Sequence, residues 1–83
     1  MLERMGNRKI ADEAELCALA KKFRQAAGKT QDQAARELHV SRPAIVQAEN
    51  QPDKSFFKLR KKIIEHYSPF RVVGPSYILT KKA

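Results

Sequence analysis

Apolar residues recur at helical spacing in four segments of the chain, and the pattern changes near the C-terminus. Leu16, Leu19, Ala20, Phe23 and Ala27 stand three or four positions apart, which puts them on one face of a helix, with Cys17 beside that stripe. Asp12, with Glu15 three residues on, starts this segment as a capping pair, and Gly28 suits its end because glycine enters the left-handed region freely. The spacing predicts a first helix of about four turns. Ala34, Ala35 and Leu38 form a second face behind the capping-box pair Thr30 and Gln33. Ser41 offers the next N-cap, Pro43 falls in a first turn where its missing N–H costs little, and Ile45 and Ala48 continue the apolar stripe. A third helix therefore starts at Arg42. Phe56, Leu59, Ile63 and Tyr67 predict a fourth helix from near Ser55, with Lys58, Arg60, Lys61 and Lys62 on its wet face. His66 has no evident partner.

The last segment, PFRVVGPSYILTKK, has β-formers on both sides of Gly74-Pro75. It reads either as two short strands in a tight hairpin or as one strand with an irregular break. An apolar strand on so small a body needs a second strand to satisfy its edge. Met1 to Ile10 shows no period. Arg4, Arg8 and Lys9 there are able to reach a phosphate or a minor groove, though a disordered end is the simpler reading. The chain thus divides into an N-terminal arm (residues 1–11), a helical domain (12–67) and a β segment with a basic tail (68–83).

Gln31 to Asn50, QDQAARELHVSRPAIVQAEN, reads as helix, turn and second helix, the smallest unit that sets a helix into a DNA groove. In such a unit Arg42, Val46 and Gln47 lie where a docked helix meets base edges. Arg42 suits guanine O6 and N7, Gln47 suits adenine N6 and N7, and Val46 suits a thymine methyl group. Pro43 offers apolar contact only.

These residues resemble the Xre or lambda-repressor-like helix-turn-helix family over roughly Leu16 to Tyr67. Gln31 opens the first helix of the motif as the family's glutamine does, Ala35 is the small residue at the helix crossing, and Val40, Ile45 and Ala48 hold apolar positions before Glu49-Asn50. Two departures stand out. His39 occupies the turn position where glycine is usual, a left-handed site that His tolerates with modest strain, and Gln51 replaces another common glycine. The run Glu49 to Asp53 resembles the same stretch of HipB-type antitoxin repressors. The resemblance implies an all-α bundle of four or five helices followed by a β-strand or hairpin. It assigns phosphate contacts to Gln31, Ser41, Asn50 and Arg24, and a structural ion pair to Arg24 and Glu49. The HipB likeness implies a homodimer in which the β segment (Phe70, Val72, Val73, Tyr77, Ile78 and Leu79) pairs with its copy, against the alternative of a hairpin packed within one chain.

Composition narrows the function. Eighty-three residues support one core. Seventeen Lys and Arg against nine Asp and Glu give a net charge of +8, which favours a polyanionic partner. No apolar run approaches the ~20 residues of a membrane span, and the N-terminus lacks the apolar centre of a signal peptide. A soluble protein of the bacterial cytoplasm is expected, with no membrane partner. The single Cys17 forms no internal disulfide, and with two distant histidines there is no metal set. No cofactor is expected. Gly6, Gly28 and Gly74 are too scattered for a phosphate loop, and no nucleophile–base pair appears, so an enzyme is not the expectation. The leading expectation is a dimeric repressor of an operator in double-stranded DNA, its half-sites ~34 Å apart. The alternative is a protein-binding antitoxin that neutralises a toxin partner. RNA binding is weaker, since surface aromatics for base stacking are lacking.

Overall fold

The computed structural model of the chain describes residues 8–10, 12–73 and 78–81. Four helices, α1 (Glu13–Ala26), α2 (Gln31–Leu38), α3 (Arg42–Asn50) and α4 (Phe57–Tyr67), form the body, and strands β1 (Arg8–Ile10), β2 (Phe70–Val73) and β3 (Ile78–Lys81) form a small sheet. The expected helical bundle with a C-terminal β segment is what the chain forms, and the described residues contain β-strands where a fifth helix was the alternative.

Both ends of α1 and α2 and the start of α3 have a local cause. Asp12 caps α1 by accepting from the Glu15 N–H at 2.8 Å. After α1, Gly28 sits at φ 74°, and the bonds from Gly28 N to Gln25 O (2.9 Å) and from Lys29 N to Arg24 O (3.2 Å) close a Schellman turn. The capping box at the start of α2 is complete, with Thr30 Oγ1 accepting from Gln33 N at 3.0 Å and Gln33 Oε1 from Thr30 N at 2.9 Å. His39 then takes φ 59°, ψ 43°. Its N–H bonds to Arg36 O at 3.4 Å and that of Val40 to Ala35 O at 3.0 Å, the same closing turn built on a residue other than glycine. Ser41 caps α3 through Ala44 N at 3.2 Å.

Leu16, Ala20, Ala34, Ala35, Ile45, Ala48, Ile63, Ile64, Val72 and Leu79 make one buried core. The three alanines of α2 and α3 keep the crossing of those helices close, since a small side chain lets two backbones approach. Burial departs from the predicted stripes at two places. Ala27 is exposed because α1 stops one residue before it, while Cys17 is buried next to the stripe, as expected. Arg60, expected on the wet face of α4, is 0% exposed. α4 itself starts at Phe57, two residues later than expected, with no side-chain cap at Phe56.

The sheet has the order β1-β3-β2 with both pairs antiparallel. β2 pairs β3 in the register Phe70 to Lys81 through Val73 to Ile78, and β1 pairs β3 from Arg8 to Thr80 through Ile10 to Ile78. The tail is therefore two strands paired within the chain. The loose arm expected over residues 1–11 is corrected at Arg8–Ile10, which forms the third strand. A three-residue strand is too short for alternation to reveal, while its partner needs a neighbour because a lone hairpin is marginal in water. Ser68 links α4 to the sheet, donating to Ile64 O at 2.6 Å and accepting from Phe70 N at 3.1 Å. Glu65 of α4 accepts from Val72 N at 2.9 Å, so part of the β2 edge is occupied by a carboxylate. Gly74-Pro75, Tyr77 and Arg4 lie outside the described residues.

Candidate nucleic-acid interface

One side of α3 is inward and locked, and the other is outward and unengaged. Ile45, Ala48 and Glu49 are buried, whereas Arg42, Pro43 and Gln47 are exposed and Val46 is half-buried. The last four line one shallow surface, as their i, i+4 spacing requires. Among the described residues, the side chains of Arg42 and Gln47 have no hydrogen bond or ion pair that would hold them back from a ligand.

The inward side is fixed by Arg24 and Glu49. Arg24 Nε donates to Glu49 Oε2 at 2.6 Å and Arg24 Nη2 to Glu49 Oε1 at 2.8 Å, a bidentate pair. Arg24 Nη1 adds a bond to Lys29 O at 2.7 Å, and Gln31 Nε2 donates to Glu49 Oε1 at 3.2 Å. The hydrogen bond to Glu49 raises the Arg24 pKa above its already high ordinary value, and burial opposes this more weakly. One carboxylate therefore ties α1, α2 and α3 together.

The residues expected at phosphates are placed differently from one another. Ser41 and Asn50 are exposed next to the outward face. Ser41 Oγ is a cap, and Asn50 Nδ2 donates to Val46 O at 2.9 Å. Gln31 is half-buried at the first turn of α2, and Arg24 is 7% exposed and directed inward.

The expected dimer residues are also divided. Val72 and Leu79 are each 1% exposed in the chain's own core, so the intermolecular role expected of those two side chains is corrected. The two stand opposite each other in the β2–β3 pairing and belong to the buried cluster that includes Ile63 and Ile64 of α4. Phe70 is half-buried beside Phe23, ring centroids 5.9 Å apart, and Val73 is 43% exposed. Of Ile78 the backbone pairing alone is described.

Two groups of polar contacts had no forecast in the sequence. Arg60 Nε donates to Ala48 O at 2.9 Å, Nη2 to Gln51 O at 2.6 Å and Nη1 to Lys54 O at 2.7 Å. Nη1 also forms an ion pair with Glu13, and the guanidinium lies 5.3 Å from the Phe56 ring centroid. Helical spacing carried a signal for this residue. Arg60 is four positions after Phe56 and three before Ile63, on the apolar stripe rather than opposite it. The second group joins α2 to α4. Tyr67 donates to Glu37 Oε1 at 2.5 Å, Lys29 Nζ lies 2.9 Å from Glu37 Oε2, and His66 Nε2 lies 3.5 Å from Glu37 Oε1. The Tyr67 hydroxyl, then Lys29, hold the Glu37 carboxyl below the usual range, while burial and then Glu37 raise the Tyr67 phenol.

Among the described residues no group of three or more His, Cys, Asp and Glu is placed to hold a metal, and no helix is long and apolar enough to cross a membrane. In comparisons with known proteins, a family model for helix-turn-helix domains matches residues 21–61, from the middle of α1 into α4. No curated protein and no solved structure gives a significant match. The matched residues carry the motif, both of its caps and the pair that locks α3, and residues 21–61 match the helix-turn-helix family of Xre and lambda-repressor-like DNA-binding regulatory domains.

Proposed function

We propose that the chain is a sequence-specific regulator of double-stranded DNA that acts as a homodimeric repressor, with α3 in the major groove. The observation that carries this reading is the contrast between the two sides of α3. Glu49 and the buried stripe hold the helix rigidly, and Arg42, Val46 and Gln47 stand outward with their hydrogen-bonding groups uncommitted. In this reading Arg42 donates a bidentate pair to guanine, Gln47 reads adenine, and Val46 with Pro43 supplies apolar contact. Each good bidentate pair is worth about 1 to 3 kcal/mol of discrimination. Gln31, Ser41 and Asn50, with the free N–H groups of the first helical turns, grip phosphate and set register. Arg24 acts from inside, through Glu49, rather than on a phosphate. The charge of +8 supplies attraction without sequence preference.

A dimer accounts for how so small a domain selects a site, since two half-sites one helical turn apart multiply the discrimination of one. Its contact falls to the outward side of the hairpin, where Val73 is the large hydrophobic residue most exposed among those described. Neutralisation of a toxin partner is the secondary reading, supported by the likeness of Glu49 to Asp53 to HipB-type antitoxins. The test is selection from random duplex DNA at fixed salt. An enriched two-fold symmetric motif is expected, and a pool retained at low salt with no shared motif contradicts the reading.

A further inference from the structure

The C-terminal end of α3 is held by a residue that belongs to another helix. α1 and α2 each close on a left-handed residue, Gly28 and His39, but α3 closes on Gln51 at φ −122°, ψ 76° and has no basic residue in its last turn. The last carbonyls of a helix need donors from somewhere. Gln51 N satisfies Gln47 O at 3.1 Å, and Arg60 satisfies the Ala48 carbonyl from α4. The same guanidinium binds the carbonyls of Gln51 and Lys54, which form the turn between α3 and α4, and pairs with Glu13 at the start of α1. A planar fork of donors aimed at several acceptors is something lysine does not offer. A cation at this end also complements the helix dipole.

We propose that Arg60 is a positioning residue for DNA recognition, acting through the end of α3 on the tilt of the face that carries Arg42 and Gln47. This rests on the reading of α3 as the base-reading helix. α3 is nine residues long, about 13 Å at 1.5 Å per residue, so a shift at Ala48 is transmitted along a short rigid rod to Arg42. A directed contact tolerates displacement of only about 0.5 Å. Attraction to phosphates through charge tolerates far more.

The experiment compares wild type, Arg60→Lys and Glu13→Gln on the duplex selected by wild type and on a random duplex, across a salt series. Far-UV circular dichroism at the assay temperature reports the folded fraction. Arg60→Lys keeps the charge and loses the fork, and Glu13→Gln keeps the fork and removes its anionic partner. The expected result for folded Arg60→Lys is a loss of about tenfold in affinity for the selected duplex, with random-duplex affinity and salt slope unchanged. Glu13→Gln is expected to lose less in the same pattern. Equal losses on both duplexes, in proportion to the unfolded fraction, mean a structural role alone and overturn the proposal. So does a selected-to-random ratio equal to that of wild type. If wild type itself does not distinguish the two duplexes, the reading of α3 fails and the role of Arg60 fails with it. If wild type does distinguish them, the result for Arg60 stands by itself.

Discussion

Replacing Glu49 with alanine removes the acceptor for three donors, two from Arg24 at 2.6 and 2.8 Å and one from Gln31 at 3.2 Å. Arg24, 7% exposed in the native chain, keeps Lys29 O at 2.7 Å as its remaining bond. Breaking a buried pair in this way costs about 3 to 5 kcal/mol, because the surviving charge is left desolvated and unpaired. A domain of this size has only about 5 to 15 kcal/mol in total. At about 4 to 8 °C per kcal/mol, the fall in Tm is about 12 to 40 °C. Thermal unfolding followed by circular dichroism measures it directly. A companion variant, Arg24→Met with Glu49→Leu, replaces both partners by apolar groups of similar volume and is expected to recover most of the loss. A Tm for Glu49→Ala within about 4 °C of wild type would refute the reasoning, since the pair would then be too well solvated to hold three helices. A double variant as unstable as the single one would assign the effect to packing rather than to charge.

The strain at His39 is testable by His39→Gly, which removes a left-handed cost of about 1 to 2 kcal/mol and adds about 0.5 to 1 kcal/mol of chain entropy. A net gain of about 0.5 to 1 kcal/mol in denaturant unfolding is expected, and a loss would mean that the imidazole makes a contact worth more than the strain. The Tyr67–Glu37 bond predicts a pH dependence. The Glu37 carboxyl is held low by Tyr67 and Lys29, so its contribution is present above the ordinary glutamate range and is lost as pH falls through the lowered folded value. Tyr67→Phe should therefore lie furthest below wild type in Tm near neutral pH and converge on it in acid. A gap of the same size at pH 3 and pH 7 would show that the charge on Glu37 plays no part.

Short-range signals account for most of what the sequence disclosed. Thr30 with Gln33, Ser41 with Pro43, and Gly28 each act within four residues, and each bounds a helix where the spacing placed it. The surface of α3 follows from the same periodicity, since burial of Ile45, Ala48 and Glu49 leaves Arg42, Pro43 and Gln47 outside. Arg24 and Glu49 were legible only through the family likeness, because 25 residues separate them and no local rule joins them. Arg60 was misplaced because its charge was read in place of its spacing. A buried arginine is uncommon unless carbonyls and a carboxylate await it, and these come from Ala48, Gln51, Lys54 and Glu13. β1 was missed for a related reason. What makes Arg8–Ile10 a strand is the open side of β3, about seventy residues away, and not a pattern of its own.

The central claim is that Arg42 reads a base from the major groove, and the most direct measurement is a cycle on the duplex selected by wild type. The preferred guanine is replaced by 7-deazaguanine, which lacks the N7 acceptor in the major groove and keeps Watson–Crick pairing. Affinities of wild type and Arg42→Ala are then measured on both duplexes at one salt concentration. Arg42→Ala is predicted to weaken binding by about 1 to 3 kcal/mol and the base change by a part of that, since O6 remains; once Arg42 is gone the base change should add little, because the bond to N7 is already lost. Losses that simply add would contradict the account, for Arg42 and that guanine would then act independently.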